Sequence, residues 1–145
     1  MFMPDVNVLV YAHRRDEGLH DHYADWLSTL TAGTEPFYLS VLVAVSFVRI
    51  VTNARLYGDP SQLSTALAFV EELEAHPRCR LSTPGPQHLA DVIRLCRATG
   101  ASGGAVADAQ HAALAIAEGA TWVTRDAGFA RFADHGLRWQ HLVLD

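Results

Sequence analysis

Short apolar runs of three or four residues alternate along this chain with longer stretches whose apolar residues recur at helical spacing. That alternation is the strongest constraint on the fold. Consecutive strands separated by helices must run parallel, and a parallel sheet has to be covered by helices. The strand candidates are Met1–Pro4, Phe37-Tyr38-Leu39, Arg80–Ser82, Thr121–Thr124 and Trp139–Leu144. Pro4 is tolerable where strand pairing ends. The helix candidates fill the gaps: Val6–Ala12, Asp16–Leu30 with Leu19, Tyr23, Trp26, Leu27 and Leu30 in register, and Val41–Thr52, apolar nearly all round and capped by Ser40. Asp59-Pro60 reads as a helix start, followed by the stripe Leu63, Leu67, Val70 and Leu73. Leu89, Val92, Ile93 and Cys96 mark a further helix that stops near Gly100. An Ala-rich helix runs from Gly103-Gly104 to about Glu118, with Gly119 at its end, and Ala127–Ala133 is a short last helix. The expected fold class is α/β, a three-layer α/β/α sandwich with a mostly parallel central sheet. With 145 residues and no repeat, low-complexity tract or linker, the expectation is a single domain over 1–145.

Composition narrows the function classes. Half the residues are hydrophobic and 19% are charged, which suits a folded core and not a disordered chain. No apolar run is long enough to cross a membrane, and the first residues lack a basic region followed by an apolar signal core, so a cytoplasmic location with no membrane partner is expected. Cys79 and Cys96 make no C-x-x-C pair and are expected as reduced thiols, Cys96 in the core. A net charge of −5 is not the footprint of a general nucleic-acid binder. All 11 basic residues are Arg, however, and a guanidinium fork can dock a specific phosphate. Base composition of the genome would explain the preference equally well.

Three carboxylates stand out against this background. Asp5 sits in the apolar stretch Met3–Leu9, Asp108 among Ala and Val on the Ala-rich helix, and Asp126 just after the strand Thr121–Thr124. A carboxylate in apolar surroundings needs a partner, a metal or a proton. In an open α/β sheet the ligand site lies beyond the carboxyl ends of the strands, where both Asp5 and Asp126 fall. Converging carboxylates repel, and a hard divalent cation relieves the repulsion; an all-oxygen set favours Mg²⁺ or Mn²⁺. Such an ion can activate water against a phosphodiester. Local readings remain open beside this one: Asp5 can cap the following helix, and Asp126 can be a turn residue. Asp108 is harder to dismiss, because Asp is a poor mid-helix residue.

At these residues the chain resembles the PIN-domain family and, within it, the VapC-type toxins. Pro4-Asp5-Val6-Asn7-Val8-Leu9 resembles the first motif of the family, and Phe47-Val48-Arg49-Ile50-Val51-Thr52-Asn53 the helix around the second. Ala107-Asp108-Ala109 with Ala112–Ala115 resembles the third motif, and Thr124-Arg125-Asp126-Ala127-Gly128-Phe129 the fourth. The resemblance runs from about Met1 to Phe132. It implies Asp5, Asp108 and Asp126 as catalytic and metal-holding residues. Asn7, Ser46 and Thr124 are accessory candidates, and Arg49 and Arg125 candidate RNA contacts. It further implies cleavage of single-stranded regions in structured RNA (tRNA or rRNA), a homodimer, and inhibition by a cognate antitoxin. One position departs: Ser46 stands where many relatives carry Glu, and no acid lies anywhere in Ser40–Asn53.

Rival readings rest on other features. Gly100-Ala101-Ser102-Gly103-Gly104 before a helix could hold a nucleotide phosphate, although the Gly-Lys-Ser/Thr ending of a P-loop is missing. His13, His20 and His22 with Asp21 could suggest a transition-metal site, but His20 and His22 point to different faces of a helix. A non-catalytic module with a degenerate acidic site is the remaining alternative. No Ser sits in a Gly-x-Ser-x-Gly setting, which speaks against a serine hydrolase.

Overall fold

The computed structural model describes residues 1–143. Five strands are present: β1 (Phe2–Pro4), β2 (Phe37–Ser40), β3 (Cys79–Ser82), β4 (Thr121–Thr124) and β5 (Arg138–His141). Between them lie α1 (Val6–His13), α2 (His20–Ala32), α3 (Val41–Val51), α4 (Leu63–Glu74), α5 (His88–Thr99) and α6 (Gly104–Glu118), with a 3-10 helix over Ala127–His135. Every ladder is parallel: β1 and β5 flank β4, and β2 pairs with β3. β1 packs beside β2, so the two pieces continue as β3-β2-β1-β4-β5.

That order reverses direction between β1 and β4. The connections β1 to β2 and β2 to β3 step one way, while β3 to β4 returns across the sheet. Right-handed crossovers therefore place the two sets of helices on opposite faces. The packing follows this rule: α1 touches α2 and α3, α3 touches α4, and α5, α6 and the 3-10 helix pack with one another. The core between these layers is filled by Met3, Leu9, Tyr23, Phe37, Phe47, Trp122, Phe129 and Phe132, all fully buried. The expected three-layer α/β/α architecture is the one observed.

Several local expectations are corrected. The helix expected from Asp16 starts at His20, because Asp16 turns back to hold Arg14. Asp59-Pro60 does not start α4, whose first residue is Leu63. The carbonyl of Asp59 instead accepts from Arg14 and the amide of Ser61 donates to the carbonyl of Val51, which ties this segment to α1 and α3. Neither apolar stripe expected for α4 and α5 is wholly buried: Leu63 and Leu67 lie exposed while Ala66 faces inward, and Leu89 and Ile93 lie exposed while Leu95 is buried. Cys96 is half-buried at the edge of the core. The last strand covers 138–141; the part expected at Leu144 lies outside the described residues. Ser40 caps α3 by accepting from the Val43 amide, and Gly100 and Gly119 close α5 and α6 in the left-handed conformation.

Candidate active site

Asp5 is placed by the strand before it and the helix after it. Its amide donates to the carbonyl of Val123 at 2.8 Å, extending the β1–β4 ladder by one residue. Its carboxylate caps α1, with Oδ1 accepting from the Val6 amide at 2.6 Å. Oδ2 accepts from the Thr124 hydroxyl at 2.6 Å and from the Asn7 side chain at 3.3 Å. Thr124 is the hub of this network. Its Oγ1 also accepts from Asn7 and from the Asp126 amide, while Asn7 Oδ1 accepts from the Arg125 amide. Asn7 and Thr124 thus lock the ends of β1 and β4 together and hold the Asp5 side chain in one pose.

Asp126 follows β4 and opens the 3-10 helix, where Oδ1 accepts from the Gly128 amide at 2.7 Å. The cap and turn readings of Asp5 and Asp126 are therefore both true locally. They do not exhaust the residues. Asp5, Asp108 and Asp126 line one cleft together with Asn7, Ser46, Arg49 and His111. Asp108 comes from the second turn of α6, across the cleft from α1, and its carboxylate makes no hydrogen bond or ion pair among the described residues. The cleft opens where the strand order reverses, at the carboxyl ends of β1 and β4.

The electrostatics show the strain of this convergence. Burial pushes the Asp5 carboxyl up to about 6, against opposition from its hydrogen bonds to Thr124 and Val6, and the charges of Asp108 and Asp126 add to the rise. Burial and the Asp126 charge also raise Asp108, partly offset by Arg131. A cluster of three carboxylates in which Asp5 and Asp108 are shifted upward favours a proton or a cation.

The two arginines part company. Arg49, one turn after Ser46 on α3, lines the cleft and is exposed. Arg125 does not line it; its guanidinium lies 4.1 Å from the ring centre of Tyr11 and 5.4 Å from that of Tyr23. Side chains alternate along the end of β4, so Thr124 and Asp126 face the cleft side while Arg125 faces the α1–α2 layer. Phe129, the end of the fourth motif, also lines the cleft, and so does His111, a polar residue that the sequence reading misses. His111 carried a usable signal, since it follows Asp108 by three residues on one helix.

The rival sites do not assemble. His13 lies half-buried between Phe47 and Phe69 and pairs with Ser61, His20 pairs with the carbonyl of Tyr11, and His22 is exposed. The Gly100–Gly104 loop joins two helices, not a strand to a helix as a phosphate loop requires.

With the fold and the cleft in view, comparison with known proteins is decisive. The PIN domain family matches residues 2–135. The chain belongs to the PIN-domain family. Ribonuclease VapC25 of Mycobacterium tuberculosis is 41% identical to this PIN domain over 133 residues, 92% of this chain and 94% of the relative. VapC ribonuclease Mb2897 of Mycobacterium bovis is 40% identical over 141 residues, 97% of this chain and 95% of the relative. The crystal structure of VapBC2 from Rickettsia felis bound to a DNA fragment from their promoter superposes with a TM-score of 0.68 at 20% identity, covering 96% of each chain; this likeness concerns the fold.

Among the described residues of this PIN domain, no group of three or more Asp, Glu, His or Cys side chains is placed to hold a metal ion together. Mg²⁺ does not need one. It keeps several waters and is commonly held by one or two carboxylates at an open site. An open cleft whose acids are all oxygen donors, with Asp5 pushed toward neutrality and Asp108 making no hydrogen bond or ion pair among the described residues, has the chemistry for an ion held in that way.

Proposed function

We propose that this chain is a Mg²⁺- or Mn²⁺-dependent endoribonuclease that cuts single-stranded regions of structured RNA, tRNA or rRNA, and acts as the toxin of a toxin–antitoxin pair. The observation that carries this reading is the meeting of Asp5, Asp108 and Asp126 in one cleft at the carboxyl ends of β1 and β4. The relatives named as VapC ribonucleases support the substrate class, and the solved VapBC assembly supports an antitoxin partner.

Asp5, Asp108 and Asp126 would hold the cation, which when bound supplies an activated water and charge stabilisation at a phosphodiester. Thr124 and Asn7 keep the Asp5 carboxylate aimed, since both donate to Oδ2. Ser46 lines the cleft without adding charge, so the site carries three acids and not four. Arg49 is the residue placed to hold the RNA backbone at the rim; Arg125 braces the aromatic pair below. The pair of free thiols suits a reducing cytoplasm, and among the described residues no helix is long and apolar enough to cross a membrane. We further propose a homodimer, supported by the exposed Val45, Leu63 and Leu67 on α3 and α4.

The deciding experiment uses protein purified free of any antitoxin and incubated with total tRNA and rRNA. Cleavage at single-stranded positions is expected with Mn²⁺ or Mg²⁺, and none in EDTA. Cleavage undiminished by EDTA would remove the metal from the mechanism.

A further inference from the structure

One side chain in the cleft has no part in the reading above. His111 leaves the same face of α6 as Asp108, one turn further on. Its ring lies nearly parallel to the indole of Trp122, with centres 5.3 Å apart and planes 20° apart, and Trp122 in turn packs against Phe129. The two ring nitrogens of His111 have different surroundings. Among the described residues neither nitrogen bonds a protein group, but Nδ1 is buried whereas Nε2 is open to solvent. Because His111 lines the cleft, Nε2 is the edge it offers there.

Burial, followed by the neighbouring His88, holds this imidazole down to about 4, so it is neutral at working pH. A neutral imidazole has one N–H and one lone pair. Placing the proton on Nδ1 would leave a buried donor without an acceptor, which is rarer and costlier than an unfilled acceptor. The proton therefore belongs on Nε2, toward the cleft. His88 on α5, whose own Nε2 is buried and unpartnered among the described residues, is the neighbour whose charge also acts on this ring.

We propose that His111 is a substrate-contacting residue, whose Nε2–H donates a hydrogen bond to an oxygen of a ribose–phosphate chain lying in the cleft. The proposal rests on the nuclease reading, and its test separates the two. His111→Phe keeps the stacking on Trp122 and removes the donor; His111→Gln places an amide N–H near the position of Nε2. On an RNA hairpin carrying the main cut site found for the parent, His111→Phe should raise KM about tenfold with kcat within about twofold, while His111→Gln stays within about threefold of the parent. Mn²⁺ affinity by calorimetry should be unchanged in both. Independently of RNA, ¹⁵N spectra of the parent histidines at neutral pH should show His111 as the neutral Nε2–H form.

A folded His111→Phe with the parent's KM, or a folded His111→Gln as impaired as His111→Phe, would overturn the assignment and leave the nuclease standing. So would a His111 seen as imidazolium or as the Nδ1–H form. Should His111→Phe fail to fold, the Gln variant and the spectra still decide. A parent protein that cuts no RNA with either metal removes the nuclease reading, and the role of His111 falls with it.

Discussion

At the scale of single residues, Asp5 and Asp108 carry opposite signatures within one acidic cleft. Asp5 is tied by three donors yet lifted toward neutrality; Asp108 has no bonded partner among the described residues. For Asp5 the pH dependence follows from the direction of the shift. Its carboxyl titrates at about 6 in the fold against 3.8 for the unfolded chain. Below the lower value both states are protonated and Asp5 is neutral to stability. As pH rises through this window the unfolded chain ionises first, so stability falls, by about 3 kcal/mol in all, and the loss is complete above about pH 6. Urea unfolding of metal-free protein in EDTA should show that fall, and Asp5→Asn should lack it. An identical pH profile in the variant would mean that Asp5 ionises as freely as it does in water. Asp108→Asn keeps the size of the side chain and removes one of the repelling charges. It is expected to abolish RNA cleavage with Mn²⁺ while leaving the metal-free protein as stable as the parent or more so. A structural Asp predicts the reverse, a loss of about 1–3 kcal/mol with activity declining only as folding does. A destabilised variant that still cuts RNA would therefore displace Asp108 from the site.

At the scale of elements, the most informative departure is the late start of α4. Asp59-Pro60 has the chemistry of a helix N-terminus, yet the helix begins at Leu63 because Arg14 claims the preceding segment. Arg14 is buried at 7% exposure. It grips Asp16 with two N–H groups at 2.9 and 2.6 Å, donates to the Asp59 carbonyl and to Ser61, and lies 3.8 Å from the ring centre of Tyr57. A planar fork bonded on several sides at once cannot be replaced by an ammonium group. Arg14→Ala should cost about 2–4 kcal/mol in urea unfolding. Arg14→Lys should recover less than half of the loss, and the Ser61 amide should exchange faster in both variants. Full rescue by Lys would show that only the positive charge matters at this position.

At the scale of the whole molecule, the reversal of strand order gathers chemistry from three distant stretches of chain into one cleft, and the same layering leaves apolar side chains uncovered on α3 and α4. Val45 is 66% exposed, Leu63 59% and Leu67 40%, on a surface with little else to explain them. Scattered apolar residues are ordinary, but here Val45 and Leu67 line one groove with Ala44, Val48 and Val70. The double variant Val45→Asp, Leu67→Asp is expected to keep the parent's melting temperature and to shift sedimentation equilibrium from the mass of two chains to that of one. A variant that still sediments as a pair would place the contact between copies on another face.

What the sequence determined by itself is whatever depends on neighbours a few residues away. The alternation of strand and helix, the cap at Ser40, and the stops at Gly100 and Gly119 were all legible, because period and capping are local properties. So were Asp5, Asp108 and Asp126, since a carboxylate in an apolar run is conspicuous without knowledge of its partners. Only the tertiary structure decided which way side chains face. It turned Arg125 toward Tyr11 and left Arg49 on the cleft, took Asp59 from α4 for Arg14, and set His13 between Phe47 and Phe69. It put Ala66 and Leu95 inside where other apolar residues of the same helices were expected, and brought His111 beside Trp122. Each of these outcomes depends on packing between elements far apart in the chain, where burial and desolvation set the energy and no local rule reaches.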